Sequence, residues 1–246
     1  MATTMTLAQL RTAVRQRADQ VNSAFISDSE LNSYINQSYF ELYDLLVQKY
    51  GDNYYVADPV QITTDGDAQQ YALPNGTNFD GADPFYKLLG VDLQLANQND
   101  SFVTIRPFNF SDRNRYAVPN FQSFYGVTNL RYRLNGDNIW FTPIPASGQV
   151  IQIWYVPRMT TLASDSDTAD GISGWTEYII VDAAIKCMAK EESDPSVFMA
   201  QKQALILRIE AAAENRDAAN PATVADTQYS DFSWPTGSGS TSGGYF

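Results

Sequence analysis

Residues 132–157 read YRLNGDNIWFTPIPASGQVIQIWYVP, a stretch in which three candidate strands are separated by two turns. The first turn is predicted at Asn135 and Gly136, since an Asn-Gly pair suits a hairpin whose two central residues need positive φ. Pro143 and Pro145 lack backbone N–H donors and predict the end of the second strand. The stretch therefore predicts β-hairpin structure near the middle of the chain.

β-Structure is predicted over a much longer segment, residues 58–158. Proline and glycine recur there, β-branched and aromatic residues cluster, and helical periodicity is absent. We expect a compact sheet or a small sandwich. The predicted strands are 60–63, 70–73, 86–95, 102–105, 129–134, 138–142 and 150–155.

Two helices are predicted before this segment. Thr6 and Gln9 fit a capping box, in which a hydroxyl and an amide three residues later satisfy the first free N–H groups. Ser27 and Glu30 fit a second capping box, and apolar residues then recur at helical spacing until Gly51. The predicted helices are 7–20 and 28–50.

Two more helices are predicted after the β-rich segment. One begins near Ser173 and carries an apolar stripe that includes Trp175 and Tyr178. Asp194 and Pro195 supply an N-cap and a first-turn proline for the other, which ends near residue 216. The apolar positions that predict this last helix are Val197, Phe198, Leu205, Ile209 and Ala212.

Residues 217–246 contain no lysine or arginine and include a GSGSTSGG run typical of flexible linkers. Such a segment cannot form its own core, but a pure spacer does not need large aromatic side chains. We interpret it as a segment that becomes ordered on a partner, with a solvated tail as the open alternative. Its aromatic residues are Tyr229, Phe232, Trp234, Tyr245 and Phe246.

The whole pattern predicts an α+β fold. We expect a helical bundle of two N-terminal and two C-terminal helices, an inserted antiparallel β-rich domain, and an extended C-terminal tail. The predicted parts are an N-terminal helical part at 1–57, the β-rich insertion at 58–158, a C-terminal helical part at 159–216, and the tail at 217–246.

Composition narrows the classes of function. The chain has no histidine, which excludes catalytic triads that use this residue. Its single cysteine, Cys187, forms no intrachain disulfide and no multi-cysteine metal site. The formal net charge of −12 has the wrong sign for a protein that binds phosphates through a basic surface. No apolar run is long enough for a membrane span or a signal peptide, so we expect synthesis in the cytoplasm and no membrane contact.

No motif identifies a reacting group or a cofactor. The acidic run 165–171 fails the EF-hand spacing, because position 6 holds Asp170 and position 12 holds Thr176. The glycines fit neither a dinucleotide fingerprint nor a phosphate-binding loop. A glycosidase needs two converging carboxylates, and no spacing in this sequence selects such a pair. We predict no cofactor, no metal and no enzymatic activity.

Residues 106–125 interleave arginine with phenylalanine and tyrosine. Such a mixture can stack on bases or sugars, but the acidic charge of the chain favours a protein contact. The residues predicted to form this contact are Phe108, Phe110, Arg113, Arg115 and Tyr116.

The order of these parts resembles the head-to-tail adaptor proteins of tailed bacteriophages, particularly those of short-tailed phages, also called connector, head completion or tail tubular proteins. The resemblance spans about residues 7–215. The stretches that carry it are 25–46, 71–74, 87–91, 132–145, 151–157 and 175–188.

The resemblance implies a homo-oligomeric ring, usually of twelve copies, beneath the phage portal. The β-rich insertion would then contact the next tail component, the nozzle or tube protein, and the C-terminal tail would reach the portal protein. It places the chain in the virion at the head–tail junction. From the net charge we expect an acidic channel wall, past which DNA moves without specific binding during genome ejection.

Two alternatives remain open at this point. A carbohydrate-binding module would explain exposed aromatic residues on a β fold but not the flanking helices. A tail-associated glycosidase would require a pair of carboxylates that converge in a cleft.

Overall fold

The computed structural model describes residues 5–21, 25–50, 55–95, 101–116, 130–169 and 175–214. These residues form helices at both ends of the chain and strands between them, so the predicted α+β class is confirmed. The helices are α1 (Leu7–Arg17), α2 (Asp28–Tyr50), α3 (Arg113–Tyr116), α4 (Thr176–Lys190) and α5 (Ser196–Glu214). The strands are β1 (Val60–Thr63), β2 (Gln70–Ala72), β3 (Phe85–Gln94), β4 (Phe102–Thr104), β5 (Arg106–Pro107), β6 (Arg131–Asn135), β7 (Asn138–Thr142) and β8 (Val150–Pro157).

The predicted capping box of α1 is confirmed. The Thr6 hydroxyl accepts the Gln9 N–H at 3.3 Å, and the Gln9 side chain accepts the Thr6 N–H at 3.0 Å. The helix ends at Arg17, earlier than predicted, because Asp19 adopts a φ of 56° that does not continue a right-handed helix.

The second capping box forms only in part. Ser27 Oγ accepts the Glu30 N–H at 3.3 Å. The Glu30 carboxylate does not complete the box but accepts hydrogen bonds from Lys190 at 2.6 and 2.7 Å and from Tyr34 at 2.8 Å. An ammonium attracts the carboxylate more strongly than a neutral backbone N–H does, so the side chain turns toward α4.

The cap predicted for α5 is present. The Asp194 carboxylate accepts the Ser196 N–H at 2.9 Å, and the Met199 N–H bonds to the Pro195 carbonyl at 3.0 Å. The beginning predicted for α4 at Ser173 lies outside the described residues, and the observed helix begins at Thr176.

The strands form two four-stranded sheets with the orders β1-β8-β3-β4 and β2-β7-β6-β5. Each of the seven predicted strands overlaps an observed one, and β5 is additional. β5 pairs parallel with β6, whereas every other pairing between the described strands is antiparallel. All four edge strands are short, with four residues in β1, three in β2 and β4, and two in β5.

The β6–β7 hairpin turns one residue later than predicted. Asn135 pairs with Asn138, so the two loop residues are Gly136 and Asp137 rather than Asn135 and Gly136. Gly136 has a φ of 59°, and Asp137 does not have positive φ. This is the requirement of a type II′ turn, which needs glycine at its first central position only.

Two hydrophobic clusters form the core. One lies between the two sheets and takes its buried side chains mainly from the inward positions of β1, β3, β7 and β8. The other lies between α1, α2, α4 and α5, and it also includes Val156 from β8. α4 contributes buried residues over most of its length and is the central helix of this second cluster.

A buried charge cluster ties α2, α4 and α5 together. The Asp182 side chain is only 4% exposed and receives hydrogen bonds from Lys186 and from Lys202, the latter at 2.6 Å. Glu41 accepts from the same two lysines, at 2.9 and 3.0 Å. Burial raises the pKa of Asp182, but the hydrogen bonds from Lys186, Lys202 and Ser38 and the charge of Lys186 together lower it by more, so the pKa lies below its ordinary value.

A second group of contacts joins the helices to the sheets, and we call it the helix–sheet seam (Tyr43, Asp44, Tyr55, Tyr86 and Pro157). The Tyr43 hydroxyl donates to the Pro157 carbonyl, and the Tyr86 hydroxyl donates to the Asp44 carboxylate. The rings of Tyr43 and Tyr55 lie 4.4 Å apart between centroids. Burial and the bond to Asp44 raise the pKa of Tyr86 to about 12, so this hydroxyl keeps its proton.

We expect Asp182→Asn to lower the free energy of unfolding by about 3 kcal/mol, because the change removes the buried carboxylate that two partly buried lysines share and leaves them only the more exposed Glu41. Since the pKa of Asp182 is lowered in the folded state, its contribution is complete above the ordinary pKa of 3.8 and is lost as pH falls through the folded value. Urea unfolding at neutral pH and at successively lower pH measures both effects.

The matched control is Asp165→Asn, since the Asp165 side chain is 74% exposed although it pairs with Arg11. We expect that change to cost about 0.5 kcal/mol. Equal losses for the two variants, or a loss at Asp182 that does not shrink in acid, would contradict the interpretation.

Candidate interaction surfaces

The outer face of the second sheet carries arginine and aromatic side chains. Tyr132 packs against the core between the sheets, so strand alternation places its neighbours Arg131 and Arg133 on the opposite face. Arg133 is the cross-strand partner of Trp140, and Arg131 is the partner of Arg106 on β5. Partners across a ladder point to the same face of a sheet.

Phenylalanine side chains from the segment after β5 cover this face. Phe108 lies edge-to-face on Trp140 with ring centroids 5.8 Å apart, and Phe110 meets the same ring at 6.2 Å. Phe108 is buried, whereas Phe110 remains 50% exposed. Phe108 therefore packs against Trp140 in a buried position, and Phe110 contacts the same ring and presents its own ring to solvent.

Two guanidinium groups hold the exposed ring. Arg113 places its Cζ 4.5 Å from the Phe110 centroid, and Arg133 places its Cζ at 5.3 Å. Arg113 also donates to the Phe110 carbonyl at 3.1 Å. Such cation–π contacts contribute about 0.5–1 kcal/mol each at exposed sites and fix the direction of the cations. We call this group the arginine–aromatic surface (Arg106, Phe110, Arg113, Arg131, Arg133 and Trp140).

Part of the charge on this surface is not neutralised within the described part of the chain. Seven basic side chains form ion pairs there, and all seven belong to α1, α2, α4 and α5. Arg106, Arg113 and Arg133 form none with a described carboxylate. A cationic patch thus lies on a chain whose formal net charge is −12.

The residues predicted as a protein contact are placed as follows. Phe110 and Arg113 lie on the arginine–aromatic surface, and Phe108 lies beneath it. The backbone of Arg115 and Tyr116 belongs to α3, and their side chains lie outside the described residues. The predicted portal-binding aromatics Tyr229, Phe232, Trp234, Tyr245 and Phe246 also lie outside them. Both sets of contacts stay predictions.

Sequence reasoning missed four of the six residues of this surface, namely Arg106 and three residues of the hairpin. Arg131, Arg133 and Trp140 come from the hairpin, which is separated in sequence from Phe110. The signal that could have found them is the alternation in RYRLN, which places two arginines on one face of a strand.

A second candidate surface lies on α5. Leu205 and Ala212 pack against the helical core, and Ile209 is fully buried. Val197, one of the apolar positions that predict this helix, does not meet the core, since it is 66% exposed. The reason is that α5 is apolar on two opposite sides, only one of which meets the core. We call the exposed side the α5 outer face; its residues follow at alternating intervals of three and four, namely Val197, Ala200, Ala204 and Leu207.

An open cleft of about 600 Å³ lies beside the helix–sheet seam, and its carboxylates include Asp83 and Asp167. Asp167 accepts the N–H groups of Ala163 and Ser164, each at 2.8 Å, and these bonds lower its pKa. A glycosidase acid needs a raised pKa. Asp167 is thus suited to fixing a loop, which weakens the glycosidase alternative.

The described residues place no group of three or more Cys, Asp or Glu side chains where a metal ion could bind. Among the described helices, none combines the length and apolar character that crossing a membrane requires.

The arginine–aromatic surface and the α5 outer face are both candidates for contacts with other proteins. Comparison with known families agrees. The chain belongs to the SU10 adaptor protein family, whose model matches residues 5–226. None of the curated proteins matches it. The predicted resemblance to phage head–tail adaptors is therefore confirmed, and the chain is a structural adaptor and a component of a phage virion.

We expect Phe108→Ala to lower the free energy of unfolding by about 3 kcal/mol, because it empties a buried site against Trp140. Phe110→Ala is expected to cost about 1 kcal/mol or less, because half of that ring is already in water. Urea unfolding of the two variants measures the difference. A larger loss for Phe110 than for Phe108 would show that the exposed ring stabilises the fold rather than a contact.

Proposed function

We propose that this chain is the subunit of a ring that joins the portal of the phage head to the next tail component, the nozzle or tube protein. Family membership supports the adaptor role, and the observation that carries the ring is the α5 outer face. The ring would lie at the head–tail junction and surround the path of the genome.

The physical argument begins with the composition of α5. An apolar side of a helix is normally buried, because exposed apolar surface costs about 25 cal/mol per Å². In the single chain Val197 and Leu207 remain 66% and 58% exposed, with Ala200 and Ala204 exposed between them. Small residues at these two positions allow another element to approach the helix closely. A neighbouring copy would bury this face.

Closed rings of many copies place further demands on the contact. Each subunit must present two different surfaces, since a face that pairs with the same face of another copy forms a dimer to which no third copy can be added. The α5 outer face would therefore meet a different face of the next copy. Twelve copies are the number that the family resemblance implies.

The two ends of the ring would bind different partners. On the β-rich side, the arginine–aromatic surface would contact the tail component, with Phe110, Arg113 and, in the same segment, Arg115 and Tyr116 as contact residues. Phe108 would support them. On the other side, the aromatic residues of the tail would anchor it to the portal, namely Tyr229, Phe232, Trp234, Tyr245 and Phe246.

DNA would pass through the ring without specific binding. The formal charge of −12 per chain and the pairing of helical lysines and arginines with carboxylates leave few cations to line a channel. Tight binding of duplex DNA depends on release of counterions by such cations. We infer that the channel wall is net acidic.

We expect Leu207→Lys to abolish or strongly weaken self-association, since it places an ammonium in an apolar contact between copies. The stability of the single chain should change little, because Leu207 is exposed. Analytical ultracentrifugation, alone and with the portal present, measures assembly. The control is Ile144→Lys, an equally large change at a side chain 51% exposed in the loop after β7. Normal ring assembly by the Leu207 variant would contradict the assignment of the α5 outer face to the contact between copies.

Truncation after Arg216 should leave the melting temperature of the remaining chain nearly unchanged and weaken attachment to the portal at least tenfold. Ordering a tail costs on the order of 1 kcal/mol per residue, so only strong anchors offset it. The control keeps the full length and replaces the five tail aromatics by serine. If that variant binds the portal as tightly as the wild type does, the aromatics are not the anchors.

A further inference from the structure

We propose that the arginine–aromatic surface recognises carboxylates on an acidic protein surface of the tail component. This inference rests on the proposed function, because it names the chemistry of one of the two partners. It also enlarges the predicted contact by Arg106, Arg131, Arg133 and Trp140, which the sequence did not single out.

Charge is the first argument. Arg106, Arg113 and Arg133 lack ion pairs with described carboxylates, although acidic residues outnumber basic ones by 28 to 16 in the chain. Seven cations of α1, α2, α4 and α5 form ion pairs within the chain, whereas this cluster presents positive charge on the outer face of the second sheet. Its complement is negative, and guanidinium groups bind carboxylates through two parallel hydrogen bonds.

The second argument is the fixed direction of the cations. Arg113 and Arg133 lie 4.5 and 5.3 Å from the centre of the Phe110 ring, and Phe110 in turn rests on Trp140. Long charged side chains normally lose rotamer freedom on binding, at about 0.5–1.5 kcal/mol each. The contacts of Arg113 and Arg133 with the Phe110 ring remove part of this rotamer freedom before the partner binds.

The third argument separates a protein partner from nucleic acid. Tight duplex binding generally uses many phosphate contacts along a basic stripe, whereas this patch is small and lies on an acidic chain. A half-exposed phenylalanine among arginines and a tryptophan matches the composition of protein interface centres. We therefore assign the surface to an acidic protein.

The test compares two charge reversals of equal size. Arg133→Glu changes the surface, and Lys87→Glu changes an exposed lysine on β3 that has no ion pair among the described residues. Binding to the purified nozzle or tube protein of the same phage is measured by calorimetry at two salt concentrations. Circular dichroism and thermal melting verify that both variants fold.

We expect Arg133→Glu to weaken this binding at least tenfold, and Arg113→Glu combined with Arg133→Glu to remove it. Lys87→Glu should bind like the wild type, and the wild-type affinity should fall with added salt. Portal binding and self-association should be unchanged in all variants. A poly-glutamate peptide of about 20 residues should compete with the tail component, and a duplex of about 20 base pairs should not.

Several results would overturn the inference. Equal weakening by Lys87→Glu would mean that only net charge matters. Loss of self-association in Arg133→Glu would assign the surface to the neighbouring copy, and competition by the duplex would assign it to nucleic acid. If the wild type binds the tail component and Arg133→Glu binds equally well, this inference fails alone. If the wild type binds neither portal nor tail component, the proposed function fails as well.

Discussion

The structure depends on one carboxylate, Asp182, that is buried between lysines of two helices. Lys186 comes from α4 itself and Lys202 from α5, while Glu41 on α2 completes the charge balance. Removing ions from water costs several kcal/mol each unless their partners are in place. The cluster therefore penalises arrangements in which α5 slides or rotates against the other helices.

That constraint matters because α5 contributes only part of its apolar surface to the core. Ile209 is its one fully buried hydrophobic residue among those described, and Leu205, Ile206, Ala212 and Ala213 pack against the core while partly exposed. The direction of the α5 outer face is thus set by these contacts together with the ion pairs of Lys202. If that face binds a neighbouring copy, as proposed, its own apolar residues do not hold the helix in the single chain, and the charge cluster adds an independent anchor.

Much of the fold follows from local sequence signals. The caps at Thr6 and Asp194 depend on residues within one turn, so the sequence alone identifies them. The hairpin was predictable as a hairpin, but its register was not, because the pairing of Asn135 with Asn138 depends on the whole β6–β7 ladder. Glu30 departs from its predicted role because Lys190, far away in sequence, competes for it.

The candidate surfaces were harder to predict for the same reason. Periodicity shows that Val197 is on an apolar side of a helix but not whether that side meets the core. The arginine–aromatic surface combines Phe110 with Arg133 and Trp140, and only the fold brings them together. The sequence located Phe110 and Arg113 through composition, since arginine and phenylalanine both recur within one short segment.

The short edges of the two sheets have a consequence for how copies meet. An exposed edge strand offers unpaired N–H and C=O groups to any other chain, and long edges lead to indiscriminate aggregation. Here the edge strands have only two to four residues, and β5 includes Pro107, which has no N–H to offer. In the proposed ring, copies would gather around one axis without stacking into fibres through their backbones. Association would then depend on side chains, which can be specific, and assembly could stop when the ring is closed.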